Sequence, residues 1–288
     1  MDQEKERFVN MELKSLRGRT GYIETPGAMI PVYRLPGDEL LLFDSGREPS
    51  PELMALLERE QLRVKAVVCT HLHEDHIANN DLLVARYGAR IYASAPDISE
   101  LQSRDSVSYP VSAIDGADAL DLEGASIRLL PLPGHTEGQL AYVTPDGVCC
   151  VGDAIMTRKP LERAKIPYMD DVDGSMVSME ALRQTDYPFY IIAHKGVVRK
   201  EELSALIDRN IQKELDLYEL LRRQITEPAP MEQVITDFIR GAGVLSQKMV
   251  EQDYVRHTAK VRVLALIHAG EFSLEDGVVL PVAFQNRN

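Results

Sequence analysis

One short run of the sequence contains residues suited to binding metal ions. The segment 70–76, Thr-His-Leu-His-Glu-Asp-His, places three histidines and two carboxylates directly after an apolar, strand-like stretch. Alternate residues of an extended chain point to the same side, so His71 and His73 can contact one ion. Asp75 and His76 follow where the chain is predicted to turn into a helix. This turn directs two more ligand side chains to a nearby point.

Three further candidate ligands lie alone, each at the end of another apolar run. They are His135, Asp153 and His194. Five of the seven histidines in the chain therefore belong to one set, which packing alone explains poorly. The two others, His257 and His268, are predicted to be ordinary surface or packing residues.

The seven side chains predict two neighbouring metal sites that share one carboxylate. The first site has three imidazoles, from His71, His73 and His135. The second has a carboxylate and two imidazoles, from Asp75, His76 and His194. Asp153 bridges the two sites through its two oxygens. Asp75 and Asp153 are also the candidate catalytic residues.

These ligand types indicate two divalent metal ions. Imidazole and carboxylate without thiolate suit Zn²⁺, which we predict here, and also suit the alternatives Mn²⁺ and Fe²⁺. Two ions about 4 Å apart acidify a shared water to a pKa of about 7 and stabilise the oxyanion that its attack creates. The pattern therefore predicts hydrolysis by an activated water, without a side-chain nucleophile.

Several other polar residues are candidates for supporting roles, and each has a plainer alternative. Asp44 ends a predicted strand and either orients a ligand histidine or is only a turn residue. Tyr168 or Tyr109 is a candidate general acid, although tyrosines more often pack in cores. Lys195 is a candidate contact for a substrate carboxylate or phosphate, with a solvated surface charge as the alternative.

Composition limits the partners and the compartment. The formal net charge of −13, from 32 basic and 45 acidic residues, disfavours nucleic-acid binding. No apolar run approaches the roughly 18 residues needed to span a bilayer, and the charged start predicts no secretory signal. All three cysteines lie in apolar runs, which favours reduced thiols in the cytoplasm. We therefore expect a cytoplasmic protein with a small-molecule substrate and no nucleic-acid or membrane partner.

The elements that position these residues predict an α/β architecture over residues 1–200. Short apolar runs alternate with helical patterns, and all seven candidate ligands fall at strand ends, where open α/β sheets place their sites. The predicted strands are 21–35, 39–44, 64–69, 91–94, 127–132, 140–144, 148–151 and 189–193. The predicted helices are 50–61, 75–87 and 175–184.

Residues 201–288 are predicted to form a second, mainly helical domain. Apolar residues at three- and four-residue spacing predict a long amphipathic helix over 199–223, then helices near 231–239 and 253–269 and a strand at 278–284. The long helix suits a homodimer interface or a cover over the substrate cleft. A winged-helix-like binding or dimerisation module is the alternative interpretation.

Five segments resemble the metallo-β-lactamase superfamily. They are Phe-Asp-Ser-Gly at 43–46, Thr-His-Leu-His-Glu-Asp-His at 70–76, Pro-Gly-His-Thr-Glu-Gly at 133–138, Val-Gly-Asp-Ala at 151–154 and Ala-His-Lys-Gly at 193–196. The resemblance implies a four-layer αββα sandwich with two metal ions at one edge of its sheets. The bridging Asp153 is similar to that of the glyoxalase II and lactonase branch, whereas true β-lactamases of this fold lack it.

The sequence also departs from the family pattern. The usual Gly-Gly after the histidine run is Ala78-Asn79, and the usual Pro-Gly-His-Gly is Ala-His-Lys-Gly at 193–196. No cluster of basic residues corresponds to the glutathione site of glyoxalase II.

The resemblance and the ligand pattern favour a hydrolase of a thioester, ester or lactone. The main alternative is a two-metal phosphodiesterase or ribonuclease. Residues 201–288 contain 10 basic and 14 acidic residues, a balance that disfavours a domain gripping RNA. A binding or dimerisation module with an accessory catalytic domain is the third interpretation.

Overall fold

The computed structural model describes residues 11–103, 107–114 and 118–282 of the 288-residue chain. Two large sheets face each other and helices cover both outer faces, which confirms the predicted α/β class.

The first sheet has seven strands in chain order. They are β1 Leu13–Arg17, β2 Thr20–Thr25, β3 Ala28–Arg34, β4 Glu39–Phe43, β5 Arg63–Val68, β6 Arg90–Ser94 and β7 Val111–Ile114. Strands β1 to β4 are antiparallel, and the pairs from β4 to β7 are parallel. The parallel strands are joined by helices α1 Pro51–Arg59, α2 Glu74–Ile77, α3 Asn80–Tyr87 and α4 Ala95–Ser103. The single predicted strand 21–35 is a hairpin of two strands.

The segment after the histidine run contains two helices where one was predicted over 75–87. The helix is interrupted at Asn79. Its side-chain amide accepts a hydrogen bond from the Ser50 N–H and donates to the carbonyls of Ser45 and Glu48. These bonds fix the side chain to the preceding loop, and an asparagine that bonds other backbone groups interrupts a helix. Gly88 follows α3 in the left-handed conformation, so the helix ends at residue 87, the predicted end.

The second sheet has six strands. They are β8 Ala119–Leu122, β9 Ala125–Pro131, β10 Leu140–Val143, β11 Val148–Gly152, β12 Phe189–Ile192 and β13 Gly196–Arg199, and they lie in the order β13-β12-β11-β10-β9-β8. Only β11 and β12 are parallel, and helices α5 Arg158–Arg163 and α6 Val172–Arg183 connect them. The sequence patterns did not predict β1, β7, β8, β13, α4 or α5.

Clusters of buried apolar side chains separate the four layers in the described part of the chain. Between the sheets, Phe43 and Val68 pack in one cluster with Leu129 and Tyr142. On the outer face of the first sheet a second cluster contains the apolar side of α1. A third lies on the outer face of the second sheet, against α6 and the helices that follow. The predicted αββα sandwich is thereby confirmed.

The C-terminal region is mainly helical and contains a small sheet. Its helices are α7 Lys200–Gln224, α8 Met231–Gly241, α9 Gln247–Val250 and α10 Asp253–His268. The small sheet consists of β14 Ala229–Pro230, β15 Phe272–Glu275 and β16 Val278–Pro281, in the order β14-β16-β15. The predicted strand 278–284 thus ends earlier, and residues 283–284 lie outside the described part of the chain.

The C-terminal helices share a core with the second sheet. Tyr190 of β12, Leu203 of α7, Phe238 of α8 and Val263 of α10 are all fully buried in one cluster. None of the helices in the described ranges is long and apolar enough to cross a membrane.

Candidate metal centre

The seven predicted ligands lie together at one edge of the two sheets. His71 and His73 follow β5, Asp75 and His76 lie in α2, and the other three follow β9, β11 and β12. The ligand atoms form three overlapping groups: His71, His73 and His135; His71, His76 and Asp153; and Asp75, His76 and His194. The first and third groups match the two predicted sites.

Three imidazole nitrogens converge in the first group. The Nδ1 atom of His73 lies 3.1 Å from Nε2 of His71 and 3.0 Å from Nε2 of His135. Burial lowers the pKa of His71 well below its usual range and lowers that of His135 to about 4. Both rings are therefore neutral near pH 7, with a lone pair available to a metal ion.

The Asp153 carboxylate lies between the two groups. Its Oδ2 atom is 2.9 Å from Nε2 of His194, 3.5 Å from Nε2 of His76 and 3.8 Å from Nε2 of His135. Asp75 approaches from the more open side, with its Oδ2 atom 3.5 Å from Nε2 of His194. These distances place one oxygen of Asp153, Oδ2, near both groups, whereas the sequence predicts a bridge through both oxygens.

Opposite charges outweigh burial at the shared carboxylate. Burial alone would raise the pKa of Asp153, but His194 and His76 lower it well below its usual range. The pKa of His194 rises to about 9, mainly because of Asp153. Burial alone would lower the pKa of His76, but Asp153 and Asp44 raise it well above 6.5. A bound divalent cation would replace these imidazolium protons as the partner of the carboxylate.

Two buried polar atoms support the presence of cations at this edge. Nε2 of His76 and Oδ1 of Asp153 are buried without a hydrogen-bond partner. Leaving such an atom unsatisfied costs about 1–3 kcal/mol, and a metal ion accounts for both. The donor set of imidazole and carboxylate therefore fits two divalent ions. The assignment of individual ligands remains a prediction.

Backbone carbonyls and one carboxylate fix the other nitrogens of three histidine rings. Asp44 lies 2.9 Å from Nδ1 of His76, and its carboxylate also accepts bonds from the N–H and hydroxyl of Thr70 at 2.7 and 2.8 Å. Nδ1 of His135 lies 3.0 Å from the Tyr168 carbonyl, and Nδ1 of His194 lies 3.1 Å from the Gly27 carbonyl. Such contacts set the tautomer and orientation of a ligand ring.

Asp44 lies where an orienting role is possible, and that role remains a prediction. It contacts a candidate ligand, and it also turns the chain after β4, with a left-handed φ of 64°. Lys195 likewise has a left-handed φ of 69°, and it lines a separate cavity of about 240 Å³ together with Tyr22 and Met29. Its role as a substrate contact remains a prediction.

The two candidate tyrosines differ in position. The Tyr168 ring lies edge-on to His73 with 5.0 Å between centroids, and its hydroxyl donates to Asp170 at 2.7 Å. Tyr109 is buried in the core outside the first sheet, where its hydroxyl accepts a 3.1 Å bond from Asn80. Burial raises the pKa of Tyr109 to about 12. The interpretation of Tyr109 as a general acid is therefore wrong.

A cleft of about 1180 Å³ adjoins the metal centre at Gly134 and Tyr168. Its aromatic residues are Tyr168, Tyr254 and His257, of which the last two come from α10. Its carboxylates are Asp97, Glu100, Glu137, Asp170, Asp171 and Asp253. Among the described residues that line it there is no lysine or arginine.

His257, which the sequence predicts to be an ordinary surface or packing residue, lines the cleft. Its Nε2 atom lies 2.8 Å from Oδ1 of Asp170, and its ring stacks on Tyr168 with 5.7 Å between centroids. The contact joins positions 87 residues apart. No local pattern signals such a contact.

Comparisons with known proteins agree with the fold. The sequence family model of the metallo-beta-lactamase superfamily matches residues 28–194, a range that contains all seven candidate ligands. A hydroxyacylglutathione hydrolase from Acidiphilium cryptum is 36% identical over 95 residues, 33% of this chain and 37% of that protein. Another from Chromohalobacter salexigens is 30% identical over 122 residues, 42% of this chain and 44% of that protein. The chain thus spans less than half the length of these curated relatives.

Solved structures extend the likeness to nearly the whole chain. A metallo-beta-lactamase family protein from Thermus thermophilus superposes with a TM-score of 0.69 and 16% identity, covering 94% of this chain and 98% of that one. At this identity the likeness concerns the fold alone. The C-terminal helices are therefore part of an arrangement that another protein of this fold also contains.

Proposed function

The chain belongs to the metallo-beta-lactamase superfamily, and from this premise we propose that it is a metal-dependent hydrolase of a small-molecule thioester, ester or lactone. The main supporting observation is the Asp153 oxygen that lies between the three-histidine group and the group containing His76 and His194. A carboxylate in that position favours a pair of ions over a single one.

The chain's own residues hold the ions and position the substrate. Two bound divalent ions would supply an acidified water and a Lewis acid for the carbonyl. Asp44 and the Tyr168 carbonyl keep two ligand rings in fixed orientations. Beside them, Tyr168 and His257 both contact Asp170 and form one wall of the cleft. A substrate lying in the cleft would place one end next to His73 and His135, because the Tyr168 ring contacts both.

The charge of the cleft supports a substrate different from that named for the curated relatives. Their names specify a glutathione thioester, whose peptide is anionic near pH 7. The cleft walls here include the carboxylates of Asp97, Glu137, Asp171 and Asp253, and no lysine or arginine is among the described lining residues. We propose a leaving group that is neutral or positively charged. The same walls would repel a phosphodiester backbone, which argues against the ribonuclease alternative.

The remaining parts of the proposal concern metal and location. Zn²⁺ is the proposed metal, with Mn²⁺ and Fe²⁺ as alternatives for the same donor set. The three cysteines are unpaired and buried, which supports a reducing compartment such as the cytoplasm.

Metal analysis followed by a substrate panel tests the proposal. We expect two ions per chain and turnover of thioesters, esters or lactones, with little turnover of bis(p-nitrophenyl) phosphate. Asp153→Ala and His73→Ala should lose the activity, whereas Glu219→Ala on the exposed face of α7 should keep it. Full activity in both site variants, or a chain without metal, would show that the site is wrongly assigned.

A further inference from the structure

A buried ion pair joins two C-terminal helices behind the metal centre. Nη2 and Nε of Arg262, in α10, donate to Oε2 of Glu214, in α7, at 2.7 and 2.9 Å. The side chains are 0% and 1% exposed. Removing two charges from water costs about as much as their attraction returns, so global stability is a poor explanation for the pair. Its hydrogen bonds suggest a more local role.

The Arg262 guanidinium and Thr258 together hold the segment 167–169. Nη2 of Arg262 donates to the Pro167 carbonyl at 2.9 Å, and Nη1 donates to the Thr258 hydroxyl at 2.7 Å. That hydroxyl donates to the same Pro167 carbonyl at 2.9 Å and accepts the Met169 N–H at 3.0 Å. Every hydrogen-bonding position of the Thr258 hydroxyl is used, so this arrangement leaves the segment little freedom.

The held segment contacts the three-histidine group directly. Between Pro167 and Met169 lies Tyr168, whose carbonyl is 3.0 Å from Nδ1 of His135. The Tyr168 ring also lies edge-on to His73, with 5.0 Å between centroids. Arg262 is therefore two contacts away from two candidate ligands, although 95 residues of chain separate it from Pro167.

A second contact of α7 lies four residues before Glu214 on the same helix. Asn210 forms two 2.9 Å hydrogen bonds with the backbone of Met156, three residues after Asp153. A small cavity of about 10 Å³ lies between Asn210, Glu214, His135 and Asp153. The Oε1 atom of Glu214 is buried without a hydrogen-bond partner. Helix α7 therefore lies next to the metal centre, on the side of His135 and Asp153.

We propose that Arg262 is a positioning residue of the metal centre: held by Glu214, it fixes the segment 167–169 so that the Tyr168 carbonyl orients His135. The inference rests on the proposed metal-dependent function. Outer contacts that orient a ligand histidine typically change metal affinity by about 10–100-fold. The effect should fall on the three-histidine site, because the fixed contacts of His76 and His194 come from Asp44 and Gly27.

The test compares a double variant with a control on the same helix. Arg262→Met with Glu214→Leu removes both charges and leaves no unpaired charge buried. Val263→Ala, also fully buried in α10, creates a cavity but leaves the guanidinium contacts in place. Zn²⁺ titration of the full chain against a chromophoric chelator gives the two affinities, Co²⁺ absorption reports the ligand geometry, and thermal unfolding measures stability.

The expected results separate positioning from general stability. The double variant should keep one ion at wild-type affinity, bind the second about 10–100-fold more weakly, and show a changed Co²⁺ spectrum. Val263→Ala should melt at a lower temperature and still bind two ions as tightly as wild type. Arg262→Lys keeps the charge but cannot bond Glu214 and Pro167 together, so it should weaken binding of the same ion. If the double variant does not fold, the metal affinities of Arg262→Lys serve as the test instead.

Three outcomes would contradict these proposals in different ways. Wild-type affinity for both ions in the double variant, or in Arg262→Lys where that variant decides, would overturn the positioning role alone. Equal weakening of metal binding by Val263→Ala would show that only stability had changed, and would also overturn it. A wild-type chain that binds fewer than two ions would overturn the proposed function, and this inference with it.

Discussion

Replacing Asp97 by asparagine is expected to stabilise the folded protein above pH 6 and to leave it nearly unchanged near pH 4. Asp97 lies in α4 and is 3% exposed. Its carboxylate accepts the Gly138 N–H at 3.1 Å and the Thr136 hydroxyl at 3.4 Å. Asparagine has nearly the same shape, so it can accept the first bond and donate the second. The substitution therefore removes a buried charge and preserves the contacts.

The magnitude follows from the pKa of this carboxyl group. Burial raises the pKa of Asp97 from 3.8 to about 6. Between these two values the folded state binds more protons than the unfolded state, so the free energy of unfolding falls as the pH rises. Above about pH 6 the whole penalty is present, and a shift of roughly two units corresponds to about 3 kcal/mol. Asparagine never ionises, so the variant should be more stable by up to that amount at neutral pH.

Urea unfolding of the metal-free protein measures the effect. The free energy of unfolding is compared between Asp97→Asn and wild type at several pH values from about 4 to 8, so that other titrating groups cancel. Asp121→Asn makes the same chemical change at an exposed position, and it should alter stability by less than about 0.5 kcal/mol at every pH. A difference for Asp97→Asn that does not grow between pH 4 and 6, or a less stable variant at pH 7, would refute the reasoning.

Three further predictions follow from other contacts. Asp44→Asn should weaken metal binding at the His76 site by about 10–100-fold in chelator competition, and an unchanged dissociation constant would contradict its orienting role. Gly134→Ala should lower the free energy of unfolding in urea by about 1–3 kcal/mol, because Gly134 has a φ of 137° and a Cβ there would lie 2.4 Å from the Ser175 backbone. The control Gly88→Ala has open space around the added Cβ and should lower it by less. Among thioesters that share one acyl group, kcat/KM should be highest for a cationic thiol leaving group and lowest for an anionic one, and added salt should reduce this difference in kcat/KM. A higher kcat/KM for the anionic thiol would contradict the proposed substrate class.

The convergence of the seven candidate ligands could be predicted because these residues are of metal-binding types and lie at strand ends. Histidine is rare in this chain, and each of His135, Asp153 and His194 follows a strand made recognisable by its continuous apolar residues. The carboxyl ends of parallel strands lie at one edge of a sheet, so the order of the strands within the sheet did not need to be known in detail. Residue type and strand position were therefore sufficient.

The supports of the centre could not be predicted in the same way. The Tyr168 carbonyl that contacts His135 is a backbone group, and residue type says nothing about where it points. Arg262 and His257 lie on a helix whose apolar spacing predicted only its packing face. Their contacts with Pro167 and Asp170 join positions 95 and 87 residues apart. Only the packing of α10 against the second sheet's helices brings these residues to the site.

This packing also bears on whether residues 1–200 can function alone. A fragment ending there would lose α7 and α10, expose the buried face that Tyr190 shares with Leu203 and Val263, and release the contact from Arg262 to Pro167. Exposed core surface on that scale removes hydrophobic stabilisation of the remaining sheet, and the loose segment no longer orients His135. We therefore expect the fragment to aggregate, or to bind fewer than two ions when refolded, in metal titration beside the full chain. A monomeric fragment with two tightly bound ions would mean that the C-terminal helices serve the substrate rather than the metal centre.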